Sequence, residues 1–119
     1  MKTTVEYAGF APNVATTIFT FTAPAGQPNQ RCVIAALSLV DVSGSARSVN
    51  VRIVPAGETI TDDDWCILPK TFAIEANGGV YLRDDPDHPR NVLIDGDRVV
   101  INADSASAVA ARLCIGWLP

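Results

Sequence analysis

The chain has 119 residues and a formal net charge of −4, which is room for one domain and no second core. Hydrophobic residues make up 48% and charged residues 18%, a balance that excludes a disordered tail. An isoelectric point near 4.7 excludes the basic footprint of a nucleic-acid binder, and so little charge suggests that part of the surface does not face water.

The first residues, MKTTVEYAGF, lack the apolar run of a signal peptide. The segment 1–13, with Gly9 and Pro12, reads as an N-terminal arm, and residues 14–119 as one β-sandwich domain. Val14 to Thr22 predicts a first strand, with Thr17, Phe19 and Phe21 on one face, ended by Pro24-Ala25-Gly26. Arg31 to Val42 predicts a long second strand. Val33, Ala35, Leu37 and Leu39 point one way, and the opposite face is also largely apolar, so the strand is expected to be covered on both sides. After Ser43-Gly44-Ser45, the stretch Ser48 to Pro55 alternates, with Val49, Val51 and Ile53 inward and Asn50 and Arg52 outward.

A polar loop over 56–64 follows. Trp65 to Leu68 and Lys70 to Glu75 predict short strands split by Pro69, and Asn77-Gly78-Gly79 predicts a hairpin turn before Val80-Tyr81-Leu82. Beyond an acidic loop over 84–90, residues 91–94, the turn Asp95-Gly96 and residues 97–103 predict a second hairpin. Val109 to Leu118 predicts the last strand, with Val109, Ala111, Leu113, Ile115 and Trp117 on one face. Seven or eight strands separated by turn signals predict an all-β, antiparallel, jelly-roll-like sandwich. Its expected core is Phe19, Val33, Leu37, Val51, Ile53, Val99, Ile101 and Leu113.

Chemistry-bearing residues are few. The single histidine, His88, lies between prolines in an acidic loop and reads as a solvated side chain. Asp62-Asp63-Asp64 and Asp84-Asp85-Pro86-Asp87 offer oxygen ligands, but neither fits a calcium loop. They read as turns, the first group also as a cap on a short helix before Trp65. Cys32, Cys66 and Cys114 lack metal-ligand or disulfide spacing and are expected to be free thiols. No nucleophile elbow or phosphate loop is present. No catalytic, metal or cofactor-binding residue is assigned. Trp65, Trp117, Tyr7 and Tyr81 read either as packing residues or as a sugar-stacking platform.

The run Thr17-Ile18-Phe19-Thr20-Phe21-Thr22-Ala23-Pro24-Ala25-Gly26, then Leu37-Ser38-Leu39-Val40 with Ser43-Gly44-Ser45, Val49-Asn50-Val51-Arg52-Ile53-Val54-Pro55-Ala56-Gly57, and Leu93-Ile94-Asp95-Gly96-Asp97-Arg98-Val99 resembles small β-sandwich structural proteins of tailed bacteriophage virions. The similarity runs over residues 14 to 118. It departs at Asp41, where the family commonly has Asn near the end of the second strand.

The resemblance implies a non-enzymatic virion component, a capsid decoration protein or a head, neck or tail accessory, made in the host bacterial cytoplasm. Its implied partners are copies of itself, a trimer or higher ring, and other virion proteins such as the major capsid or tail protein, with neither nucleic acid nor membrane among them. On the arm, Tyr7 and Phe10 are the expected interface residues. The alternatives are a carbohydrate- or receptor-binding β-module, which requires exposed aromatics in one groove, and a small jelly-roll enzyme, which requires clustered carboxylates or a metal.

Overall fold

A computed structural model describes residues 2–85 and 87–119. Among the described residues there are nine strands: β1 (Thr3–Phe10), β2 (Thr16–Thr20), β3 (Cys32–Asp41), β4 (Arg47–Val54), β5 (Phe72–Ile74), β6 (Gly79–Leu82), β7 (Val92–Leu93), β8 (Arg98–Ala103) and β9 (Val109–Trp117). They form two antiparallel sheets packed into a sandwich. Sheet one runs β1-β9-β3-β6, with β7 beside the start of β3. Sheet two runs β2-β8-β4-β5.

The chain crosses between the sheets at most connections, and this is why neither predicted hairpin forms. Asp97 N–H donates to the Ile94 carbonyl, and Gly78 N–H donates to the Glu75 carbonyl. In both turns positive φ falls only on the second central residue, Gly96 at 90° and Asn77 at 61°. That is the type II pattern, whereas a two-residue hairpin needs the opposite twist of a primed turn. The strands therefore splay. β5 joins sheet two and β6 sheet one; β7 joins sheet one and β8 sheet two. Gly96 is further required because a Cβ there would lie 2.8 Å from Ala56 Cβ.

The segment expected as an arm is instead the outer strand of sheet one. β1 pairs along β9, Trp117 N–H donates to the Lys2 carbonyl, and Ala11 N–H to the Val109 carbonyl. β1 is the strand that was not expected, and the described residues hold nine in all. The stretch 65–68 is not a strand. Asp63–Trp65 is a single 3-10 turn capped by the Asp62 side chain on Asp64 N–H, and only Cys66 bridges to Arg52.

Three bulges shift the expected faces. In β2 the irregularity between Thr17 and Phe19 places Thr17 outward and Phe19 inward. In β3 the irregularity between Ile34 and Ala36 puts Cys32 and Ile34 in the core cluster ahead of Leu37 and Leu39, while Val33 is buried outside that cluster. The third lies in β1, between Val5 and Tyr7. Leu37, Val51, Val99, Ile101 and Leu113 are buried in the core, whereas Phe19 and Ile53 are half-buried against it.

Leu113 sits on β9, between β1 and β3, with no exposed surface. Leu113→Ala is expected to lower unfolding stability by about 2–5 kcal/mol, read from denaturant midpoints, through lost burial plus the cavity left behind. An unchanged midpoint would contradict the placement.

Candidate functional site

The two outer faces of the sandwich differ. On sheet two the outward residues Arg52 and Arg98 are covered by the loop between β4 and β5. Arg52 is 5% exposed, despite its outward direction. Its Nη2 donates to Asp63 Oδ1 at 2.8 Å, and Nη1 to Asn102 Oδ1 at 3.3 Å. Asp63 also pairs with Lys70 at 2.9 Å; the Lys70 and Arg52 hydrogen bonds hold its carboxyl below the usual carboxylate range. Arg98 Nη2 donates to the Pro55 and Glu58 carbonyls at 2.8 and 2.6 Å. Both guanidiniums thus tie the 55–70 loop across the sheet.

Sheet one is covered on its outer side at the start of β3, where Val33 is fully buried, but not further along, where Ala36 is exposed. The registers of β1, β9, β3 and β6 align its outward residues in rows. One row is Phe10, Ala110, Val40 and Gly79. The next is Ala8, Arg112, Ser38 and Tyr81. A third sets Val5 beside Cys114 and Ala36. Phe10 is 50% exposed, Val5 52% and Tyr81 70%. Within these strand rows the only charge is Arg112, and among the described residues no carboxylate pairs with it. Arg83 follows Tyr81 by two positions at the β6 rim, and Glu6 occupies the β1 bulge at the opposite rim. The rows thus hold mainly small and apolar side chains around a single arginine.

Of the two expected interface residues, only Phe10 joins this face. Tyr7 turns into the sandwich and packs on the core, and its hydroxyl donates to the Phe10 carbonyl at 2.6 Å. The four aromatics read as a platform lie apart. Trp117 stacks edge-on against buried Phe21, with ring centroids 5.4 Å apart. Tyr7 and Tyr81 sit on opposite edge strands of sheet one, and Trp65 ends the 3-10 turn beside β4. Two shallow depressions, of about 380 and 350 Å³, flank the 26–31 loop, and no aromatic side chain lines either.

The acidic groups serve the backbone. Asp41, 3% exposed, accepts from Ser43 N–H, the Ser43 hydroxyl, Gly44 N–H and Asn77 N–H at 2.6–3.2 Å. The Ser43 hydroxyl first, then the Asn77 amide, lower its pKa to about 2. Buried Asp84 accepts from the Arg90 and Asn91 amides, and Asp97 from the Ile94 amide. Among the described residues, His88 meets Asp85, at 3.4 Å on the surface. Among the described residues, no three His, Cys, Asp or Glu side chains gather where they would hold a metal. No described helix is long and apolar enough to cross a membrane. All three cysteines are free, and burial first, then the charges of Asp97 and Glu6, push the Cys32 thiol up to about 12. No protein-family model matches the chain, and no curated protein matches it.

The outer face of sheet one escaped sequence reading because its pattern crosses four strands distant in the chain. The one local signal was that both faces of 31–42 are apolar.

Two outcomes follow from these side chains. The carboxyl of Asp41 titrates near 2 in the fold and near 3.9 when unfolded. Its stabilisation is therefore complete above about pH 4, shrinks as pH falls, and is gone below about 2. Asp41→Asn should lower the melting temperature at pH 7 and remove part of the wild-type decline between pH 4 and 2; two parallel pH curves would refute this. In thiol titration without reductant, Cys32 should stay unreactive at pH 8 until the chain is unfolded, after which all three thiols should react. Early labelling of Cys32, or a missing thiol, would count against it.

Proposed function

We propose that this chain is a non-enzymatic structural component of a tailed-bacteriophage virion, a capsid decoration or head, neck or tail accessory protein that docks on the particle and associates with copies of itself. The observation that carries the reading is the uncovered outer face of sheet one, apolar across four strands and interrupted by one charge. The chain buries the outer side of β3 at Val33, but supplies no such cover further along, where Ala36 is exposed. The sequence resemblance over residues 14 to 118 supplies the kind of assembly. The dispersed aromatics favour this reading over a glycan-binding groove, and the use of buried aspartates as turn acceptors favours it over a catalytic carboxylate pair.

The test is mass spectrometry of particles purified from a host lysate, with the chain supplied as wild type or as Ala36→Arg. Ala36 is exposed, so a charge there is tolerated by the isolated fold but not under a docked partner. Wild type should be recovered in many copies per particle, and the folded variant should be depleted at least tenfold. Particles lacking the wild-type chain would overturn the assignment, and normal incorporation of the variant would remove this face from the docking.

A further inference from the structure

We infer that Asn77 is a site of spontaneous deamidation, which the native fold holds shut and which opening of the crossing between β5 and β6 releases. Asn77 is exposed and is followed by Gly78. Glycine carries no Cβ, so its amide nitrogen reaches the preceding side-chain carbonyl with the least hindrance. In that reaction the Gly78 nitrogen gives up its proton to hydroxide and attacks Cγ of Asn77. The new C–N bond closes a five-membered imide. The bond from Cγ to Nδ2 breaks, and the nitrogen leaves as ammonia, taking a proton from water. Water then opens the imide at either carbonyl, leaving aspartate or isoaspartate. The net change consumes water, releases ammonia and adds a negative charge, with no oxidant or reductant.

The fold withholds this reaction by clamping the chain around the attacking nitrogen. The Gly78 N–H donates to the Glu75 carbonyl at 2.8 Å, so the proton that must leave is engaged. Asn77 N–H donates to Asp41 Oδ2 at 2.8 Å, and the Gly78 carbonyl accepts from Asp41 N–H at 2.9 Å. Bringing the nitrogen onto Cγ requires rotation about ψ of Asn77, which swings the 77–78 peptide plane. That rotation breaks the bond to Glu75 and draws Gly78 off Asp41, while Gly79 is held on β3 opposite Val40. Closure of the imide therefore waits on opening of the crossing. Once formed, isoaspartate inserts a methylene into the backbone between the Asn77 and Gly78 amides. It also sets a second carboxylate near that of Asp41, which repels it. The crossing then does not rebuild, and a transient opening is left recorded in the covalent structure.

Mass spectrometry of the full chain aged at pH 8 tests this. The tryptic peptide 71–83 contains Asn77 as its only asparagine and has no glutamine, so a gain equal to the exchange of an amino for a hydroxyl group reads Asn77 alone. In native buffer that gain should be at least about tenfold slower than in guanidinium chloride, the factor expected when the net contribution of two hydrogen bonds must first be lost. In the same denatured sample, peptide 91–98, whose Asn91 precedes β-branched Val92, should convert far more slowly. Folded Asp41→Asn, checked by circular dichroism, should convert Asn77 in native buffer faster than wild type, because a neutral acceptor holds the amide less strongly. Wild type aged in denaturant should refold incompletely. Asn77→Gly, which accepts the positive φ of 61° and has no side-chain amide to lose, should refold fully after the same treatment. Equal rates in folded and unfolded chain, no conversion in denaturant, or equal conversion of the two peptides there would overturn the inference. So would a folded Asp41→Asn no faster than wild type, or aged wild type that refolds as completely as Asn77→Gly. The folded-against-unfolded comparison uses wild type alone, and so decides whether or not the variants fold.

Discussion

A sandwich whose chain keeps changing sheets must satisfy backbone amides at every crossing, where neither ladder reaches. Asp41 meets that constraint for two crossings at once. It closes β3, and its carboxylate gathers donors from the Ser43–Gly44 turn that leads to β4 and from Asn77 in the turn that leads to β6. Its own N–H donates to the Gly78 carbonyl. A neutral acceptor holds such amides less strongly, since hydrogen bonds to an ionised group are roughly twice as strong. Asp84 and Asp97 repeat the device after β6 and before β8.

The same economy of charge separates the two faces. Sheet two keeps arginines on its outer side and covers them with its own loop, held through Asp63 and the carbonyls of Pro55 and Glu58. Sheet one has small and apolar side chains outward, and its edge strand β1 is bulged at Glu6, a feature that discourages a neighbouring strand from simply extending the sheet.

The fold class was legible because period-two alternation survives in long strands such as β4 and β9, where one side is buried. The core residues of those strands followed directly. Bulges were not legible: Ile18 and Ala35 look like ordinary strand residues, yet each reverses the facing of what lies on one side of it. The turn signals at Asn77-Gly78 and Asp95-Gly96 were legible as turns but not as crossings, because the residue types do not say which central position takes positive φ. The turn at Asp95-Gly96 docks on the end of β2, where the Gly96 N–H donates to the Phe21 carbonyl. Buried Arg52 was read as outward, correctly for its direction, but its cover comes from a loop with no periodicity. The uncovered face was legible only in β3.

The placement of β9 governs how the protein comes into being. It follows every other described strand in the chain, yet it lies between β1 and β3. During synthesis β1 therefore has no neighbour in its sheet until the segment 109–117 has left the ribosome. Closure of sheet one joins segments about a hundred residues apart. It belongs to the slow, non-local class of folding steps. In that interval the nascent chain is open to strand pairing with its neighbours on the polysome.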